Sequence, residues 1–202
     1  MDKNQLIQIC KYVGIDILFD HQILKENRSL YENYAQLEFN NGAYEYAEIN
    51  FERQPNSDKE NIITFTNEAK ATKYFLIKLL KKFYFPTIFP ADNPVHDFKN
   101  VNELTDYFLK LGVPISYSSF NTIQPQTICY EVDSSNKMVI SYINSSNKKS
   151  FTTIPLSSER GLFVMYRLTY SLTVLKELEI KLIKQNLLDE NFEDEDIELF
   201  IK

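Results

Sequence analysis

The sequence predicts an α+β fold of two similar halves, each a helix followed by an antiparallel β-meander and a packing helix. Three observations carry this expectation. Apolar residues recur at helical spacing in long stretches and alternate with polar ones in the shorter stretches between them. A glycine stands at the end of the first helix of each half, at Gly14 and again at Gly112. The order helix, glycine, strand, hairpin, strand, helix is then written twice along 202 residues, which divides the chain at 1–90 and 91–202 as one body with an internal duplication. Residue identity between the halves is slight, and the alternative is a common helix–meander–helix arrangement reached by chance.

Asp2 with Gln5 makes a capping-box-like start for a helix bearing Leu6, Ile9, Cys10 and Val13 on one stripe, and Gly14 ends it. "IDILF" follows as a strand. "NYAQLEF" and "AYEYAEINFE" flank Asn41-Gly42, a pair suited to the positive backbone angles of a tight hairpin. Residues 54 to 60 read as a polar loop and "NIITF" as another strand. Asn67 then caps a helix with Ala71, Phe75, Leu79 and Phe83 on its stripe, and Pro86, Pro90 and Pro94 break the chain beyond it.

Asn100 with Glu103 repeats the capping pattern, and the helix runs through Leu104, Phe108 and Leu111 to Gly112. "VPISYSSF", "QTICYEVD", "MVISYIN" and "SFTTI" read as strands separated by Ser/Asn-rich turns, one of them around Ser134–Asn136. Ser157 caps the last long helix, with Glu159 in the first turn where the helix dipole favours an acid. That helix carries Val164, Leu168, Leu172, Leu175, Leu178 and Leu182, with Phe163, Tyr166, Tyr170 and Val174 on a neighbouring face. A helix apolar over so much of its circumference must be covered on several sides.

With 44% hydrophobic residues, 15 Phe and 13 Tyr, the chain can bury a core without metals or disulfides. Cys10 and Cys129 lie in apolar patterns, where a free thiol behaves as a small hydrophobe. The first five residues are polar, and Lys78 and Arg167 cut the richest apolar stretches short of the roughly 20 residues a membrane span needs, so the expected compartment is the cytoplasm. A net charge of -6 argues against a nucleic-acid partner and for a basic one.

No catalytic set is expected. The two His and two Cys are scattered, which excludes ordinary zinc spacing, and the four glycines are isolated, which excludes a phosphate-cradling loop. His96-Asp97, which follows Asp92 in the proline-broken connector, is the one pairing that could orient an imidazole. A surface histidine bonded to its neighbour is the plainer reading.

Two surfaces stand out for binding. On the hairpin, Tyr44, Tyr46, Glu48 and Asn50 lie opposite Ala43, Ala47, Ile49 and Phe51, and tyrosines beside acids suit a protein interface unless they cover a helix. Near the end, "LDENFEDEDIELF" packs seven acids into thirteen residues. Its Glu193, Asp194, Glu195 and Asp196 could steer a basic partner, or form a solvated tail. The interleaved Phe192, Ile197, Leu199 and Phe200 count against the tail.

An acidic, Asn/Lys-rich α+β chain of this size without a catalytic set resembles the immunity proteins of bacterial polymorphic-toxin systems. "LEFNNGAYEYAEINFER" running into "ATKYFLIKLL", with a second meander and helix behind, is similar to the immunity family paired with necrotizing-toxin-type NAD glycohydrolases. Those members carry Glu-Arg and then a glycine-rich turn, whereas Glu52-Arg53 is followed here by Gln54-Pro55-Asn56. The resemblance implies a monomer that binds a cognate toxin domain one to one, needs no cofactor and covers the toxin's active site. The candidate contacts are Tyr44, Tyr46, Glu48, Asp92, His96, Asp97, Glu193, Asp194, Glu195 and Asp196. The alternative is a small-ligand-binding protein or enzyme with a cleft between the halves near His96.

Overall fold

A computed structural model describes residues 1–29, 31–51 and 58–202. Glu52 to Asn56, including the Glu-Arg pair and its turn, lie outside the described residues. Helix α1 (Lys3–Val13) starts where the Asp2 carboxylate accepts the Gln5 N–H at 2.8 Å, and ends at Gly14 with φ 89°. Leu6, Ile9 and Cys10 form its buried stripe. Strands β1 (Ile17–Asp20), β2 (Ile23–Glu26), β3 (Tyr34–Asn40), β4 (Ala43–Asn50) and β5 (Asp58–Phe65) then pair in chain order as an antiparallel sheet.

The Asn41-Gly42 hairpin forms as expected, with φ of 45° and 88°. Strand β2 has no counterpart in the sequence reading. His21 and Gln22 make the turn before it at φ 46° and 67°, in conformations that Gly, Asn or Asp would ordinarily mark. The expected polar loop over 54–60 is corrected at its end, since Asp58 to Glu60 pair with β4.

Helix α2 (Glu68–Ile88) is capped by Asn67, whose side-chain oxygen accepts the Lys70 N–H at 3.1 Å. Ala71, Phe75 and Leu79 are buried, joined by Leu76 and Leu80, but Phe83 is 43% exposed. Steps of four residues overshoot a 3.6-residue turn by about 40° each, so a row of four such positions drifts off the buried face. Pro86 lies inside the last turn of α2 instead of breaking it, and the Phe89 N–H still reaches the Phe85 carbonyl at 2.8 Å.

A 3-10 turn (Pro94–Asp97) precedes α3 (Val101–Lys110). Asn100 accepts the Glu103 N–H at 3.1 Å as expected of the cap, while Glu103 reaches past it to the Lys99 N–H at 2.7 Å, one residue before the position a capping box would use. The second sheet holds β6 (Ser118–Phe120), β7 (Thr127–Val132), β8 (Met138–Ile143) and β9 (Lys149–Thr152) in that order. Its first pair runs parallel, so the expected meander holds only from β7 to β9. Of "VPISYSSF", Ile115–Tyr117 form a 3-10 turn and only the last three residues are strand. Left-handed residues at Asn121 and Gln126, φ 50° and 52°, turn the chain back between β6 and β7.

Helix α4 (Ser158–Lys184) buries Leu168, Leu172, Leu175, Leu178 and Leu182, and from Gly161 to Glu179 only Glu177 is exposed. The all-round apolar pattern therefore matches all-round burial. The acidic end is an ordered helix, α5 (Asp194–Ile201), with Phe192, Ile197, Phe200 and Ile201 buried.

The protein is α+β, and its residues group into two compact units. The first comprises Met1–Phe83 with Ile180–Asn191, and the second Tyr84–Glu179 with Phe192–Lys202. The division expected at 90/91 thus falls at Phe83/Tyr84, and a segment near the end returns to the first unit. Among the described residues no helix is long and apolar enough to cross a membrane.

Candidate functional site

Of the hairpin tyrosines, Tyr46 belongs to the interior of the first unit. In the antiparallel register Leu24, Leu37 and Tyr46 stand opposite one another and share one face of the sheet. Tyr46 is wholly buried against α2, its ring 5.0 Å from Tyr74 and 6.2 Å from Phe75. Burial pushes its phenol pKa up, and the Glu48 carboxylate that accepts its hydroxyl proton at 2.7 Å pushes it further.

Glu48 also meets the Lys78 ammonium at 2.9 Å and the Asn61 amide at 2.7 Å. Its burial alone would raise the carboxyl pKa, but Lys78, the Tyr46 hydroxyl and Asn61 together bring it down to about 2. Tyr44 packs edge-on to Phe39 at 5.5 Å and keeps partial exposure. Tyr46 and Glu48 fasten the sheet to α2, the helix-covering role the sequence left open beside the interface role, while Tyr44 packs within the sheet.

In the connector, Asp92, His96 and Asp97 are exposed. The His96 ring stacks on Phe163 at 4.6 Å, with planes 20° apart. No ion pair joins it to Asp97 among the described residues, and the contact that holds the ring is the stack on Phe163. No group of three or more His, Cys, Asp or Glu converges there or elsewhere among the described residues.

The four acids of the last segment divide in two. Asp194 accepts the Tyr142 hydroxyl at 2.8 Å, the Ser145 N–H at 3.0 Å and the Ser145 hydroxyl at 2.6 Å. Partial burial works to raise its pKa, and these donors outweigh it, leaving the carboxyl below its ordinary range. Asp196 is 9% exposed and accepts the Glu193 N–H at 2.9 Å, as part of a capping box. Glu193 and Glu195 are exposed. Three of the four, Glu193 and Asp196 through the capping box and Asp194 through Tyr142 and Ser145, are therefore occupied in starting and seating α5.

The sequence reading missed a groove in the second unit. Leu104, Thr105, Phe108 and Leu109 of α3 form one wall; Ile115 and the β6 residues Ser118 to Phe120 form another. Tyr130 and the buried Met165 also line this cavity of about 190 Å³, and no charged residue does. Leu109, Ile115 and Phe120 are 58%, 79% and 52% exposed at its edge. The Phe120 ring is propped on Tyr130 at 4.9 Å. Such an open, uncharged hollow can take an apolar group from water. The available signal was Leu109, an apolar residue one position, or about 100°, from Phe108 and hence off the buried stripe of its helix.

No family model, curated protein or solved structure matches the chain.

Proposed function

We propose that this chain is a binding protein that inhibits a partner protein, acting as an immunity protein toward a cognate toxin domain. The observation that carries the reading is the α3/β6 groove. Large apolar side chains held exposed around an uncharged hollow are what soluble domains keep for partners, since leaving them in water forgoes the free energy of burying them. The resemblance of the hairpin-and-helix segment to toxin-immunity proteins supplies the class of partner. On this reading the protein works in the cytoplasm as a monomer, one to one with the toxin, and contributes no catalysis of its own. The exposed Glu193 and Glu195 add encounter rate toward a basic toxin cleft.

Internal duplication belongs to the same proposal. Both stretches run from a helix ended by a glycine at positive φ (Gly14 and Gly112) through a sheet to a long helix, which supports a repeated unit.

The second reading, a small-ligand-binding protein, draws on the same cavity, whose size and apolar lining suit one ring. The exposed edge residues favour the protein partner, because a ligand held inside the hollow leaves them in water.

The test is titration of the purified full chain into the purified product of the adjacent gene. NAD consumption is followed alongside a general screen for nuclease and peptidase activity. The expected result is loss of the toxin activity that saturates at one equivalent. Absence of both complex and inhibition overturns the reading.

A further inference from the structure

Strand β6 ends its sheet, and its outer edge lies beside the groove. The Asn121 N–H donates to the Tyr130 carbonyl at 3.1 Å, so at Asn121, and two residues back at Ser119, the backbone groups face β7. Alternation along the strand turns those of Ser118 and Phe120 the other way. Of these, the Ser118 N–H is bonded to the Ile115 carbonyl, and the Phe120 carbonyl accepts the Thr122 hydroxyl at 3.1 Å. The Ser118 carbonyl and the Phe120 N–H are left without a partner among the described residues. An acceptor and a donor two residues apart on one edge are what a single residue of an added strand satisfies with its own N–H and carbonyl.

We propose that the groove takes an extended, uncharged segment of the partner protein that pairs with the β6 edge and places one aromatic or branched aliphatic side chain in the cavity. This rests on the protein-partner reading above and specifies its chemistry. Side chains of an added strand alternate, so one enters the hollow while its neighbours point away. The cavity of about 190 Å³ is somewhat larger than the apolar cavity of ~150 Å³ known to admit benzene, which sets the occupant at one ring or one branched chain. The lining has no charge to pair, so an ionised side chain would be desolvated there without compensation. A free small molecule would use neither the strand edge nor the exposed Leu109 and Ile115, whereas a segment lying along β6 uses both.

The experiment is an amide-NMR titration of the labelled full chain. The probe is a blocked peptide, Thr-Thr-Val-Phe-Val-Thr-Thr, compared with the same peptide carrying Ala for Phe and with its backbone N-methylated form. The expected result is saturable shifts at Leu104 to Leu109 and Ser118 to Phe120, and slowed solvent exchange of the Phe120 N–H. Binding should weaken at least about tenfold with the Ala peptide, the effect of burying one large apolar side chain. The N-methylated peptide should bind more weakly than its parent. Thr105→Trp, which fills the cavity mouth from an exposed helical position, should abolish the shifts while circular dichroism stays unchanged.

Equal binding of the Phe and Ala peptides, absence of peptide binding, or toluene binding without peptide binding would overturn the proposal. So would a dimer of the chain alone that Leu109→Asp disperses, since the occupant would then be a second copy. The two proposals fail separately. Full inhibition of the adjacent-gene protein by Thr105→Trp and Leu109→Asp sinks this one and leaves the inhibitor reading standing. Peptide binding without any toxin inhibition does the reverse.

Discussion

Replacing Asp194 with Ala asks whether the acidic end is a charged surface or a structural anchor. The carboxylate collects hydrogen bonds from the Tyr142 hydroxyl and from the N–H and hydroxyl of Ser145. A hydrogen bond to a charged group contributes about 1.5–3 kcal/mol, and a buried group stripped of its partner costs about 1–3 kcal/mol. Tyr142 is wholly buried, so its hydroxyl pays that cost, whereas Ser145 is exposed and turns to water. Asp194 itself keeps partial contact with solvent, which discounts the charged bonds. The net expectation is a loss of about 2–3 kcal/mol, or a Tm lower by roughly 4–12 °C for a chain of this size. Glu195→Ala, at an exposed neighbouring position, should stay within about 0.5 kcal/mol. Urea titrations followed by circular dichroism measure both. A cycle with Tyr142→Phe should return a coupling of roughly 0.5–3 kcal/mol, since removing both partners leaves nothing unpaired. Equal stability of the Asp194 and Glu195 variants would refute the anchor and return the whole segment to solvent.

Gly161→Ala should destabilise although alanine is the better helix former by about 1 kcal/mol. An added Cβ would sit 2.6 Å from the Met138 Cβ, which β8 holds in place, and overpacking costs about 1–3 kcal/mol. A raised melting temperature would contradict this. Glu48 is held near pH 2 in the folded chain against an ordinary value of 4.5. A depressed folded-state pKa gives stability that is present above 4.5 and lost as pH falls toward 2, so Glu48→Gln should flatten the stability-versus-pH curve in that window. A wild-type slope there in the variant would rule the residue out. Lys176→Met should cost about 3–5 kcal/mol, because Glu179, 4% exposed and 3.0 Å from Lys176, would be left buried without its counter-ion. A loss below 1 kcal/mol by calorimetry would show that water or another cation replaces it.

Features written within one turn of chain were legible in the sequence. The Asp2, Asn67 and Asn100 caps and the Asn41-Gly42 hairpin need only the residues that form them. The His21-Gln22 turn was not legible, because neither residue type advertises a left-handed backbone. The direction of β6 depended on two more left-handed positions outside any familiar turn pair. The candidate site fared worse for a physical reason. Whether an acid near the end is solvated or pinned is decided by Tyr142 and Ser145, which lie 52 and 49 residues away from Asp194 in the chain. The groove arises where α3, β6, β7 and one methionine of α4 fail to fill the space among them, and no local pattern encodes an unfilled space.

The interleaving of the two units has a consequence during synthesis. The first unit draws its opening 83 residues from the start of the chain and Ile180–Asn191 from near the end, where the Leu187 carbonyl accepts the Gln5 amide at 3.0 Å and Leu182 and Leu188 are buried. On a ribosome adding about 5–20 residues per second, α1 and its sheet wait on the order of ten seconds for those partners. Through that interval α2 already covers the Tyr46 face of the sheet, while the surfaces that Ile180–Asn191 complete stay open. Each unit is completed by a late segment, Ile180–Asn191 for the first and Phe192–Lys202 for the second, so the two close almost together. A chain interrupted before Ile180 therefore lacks a segment of each unit.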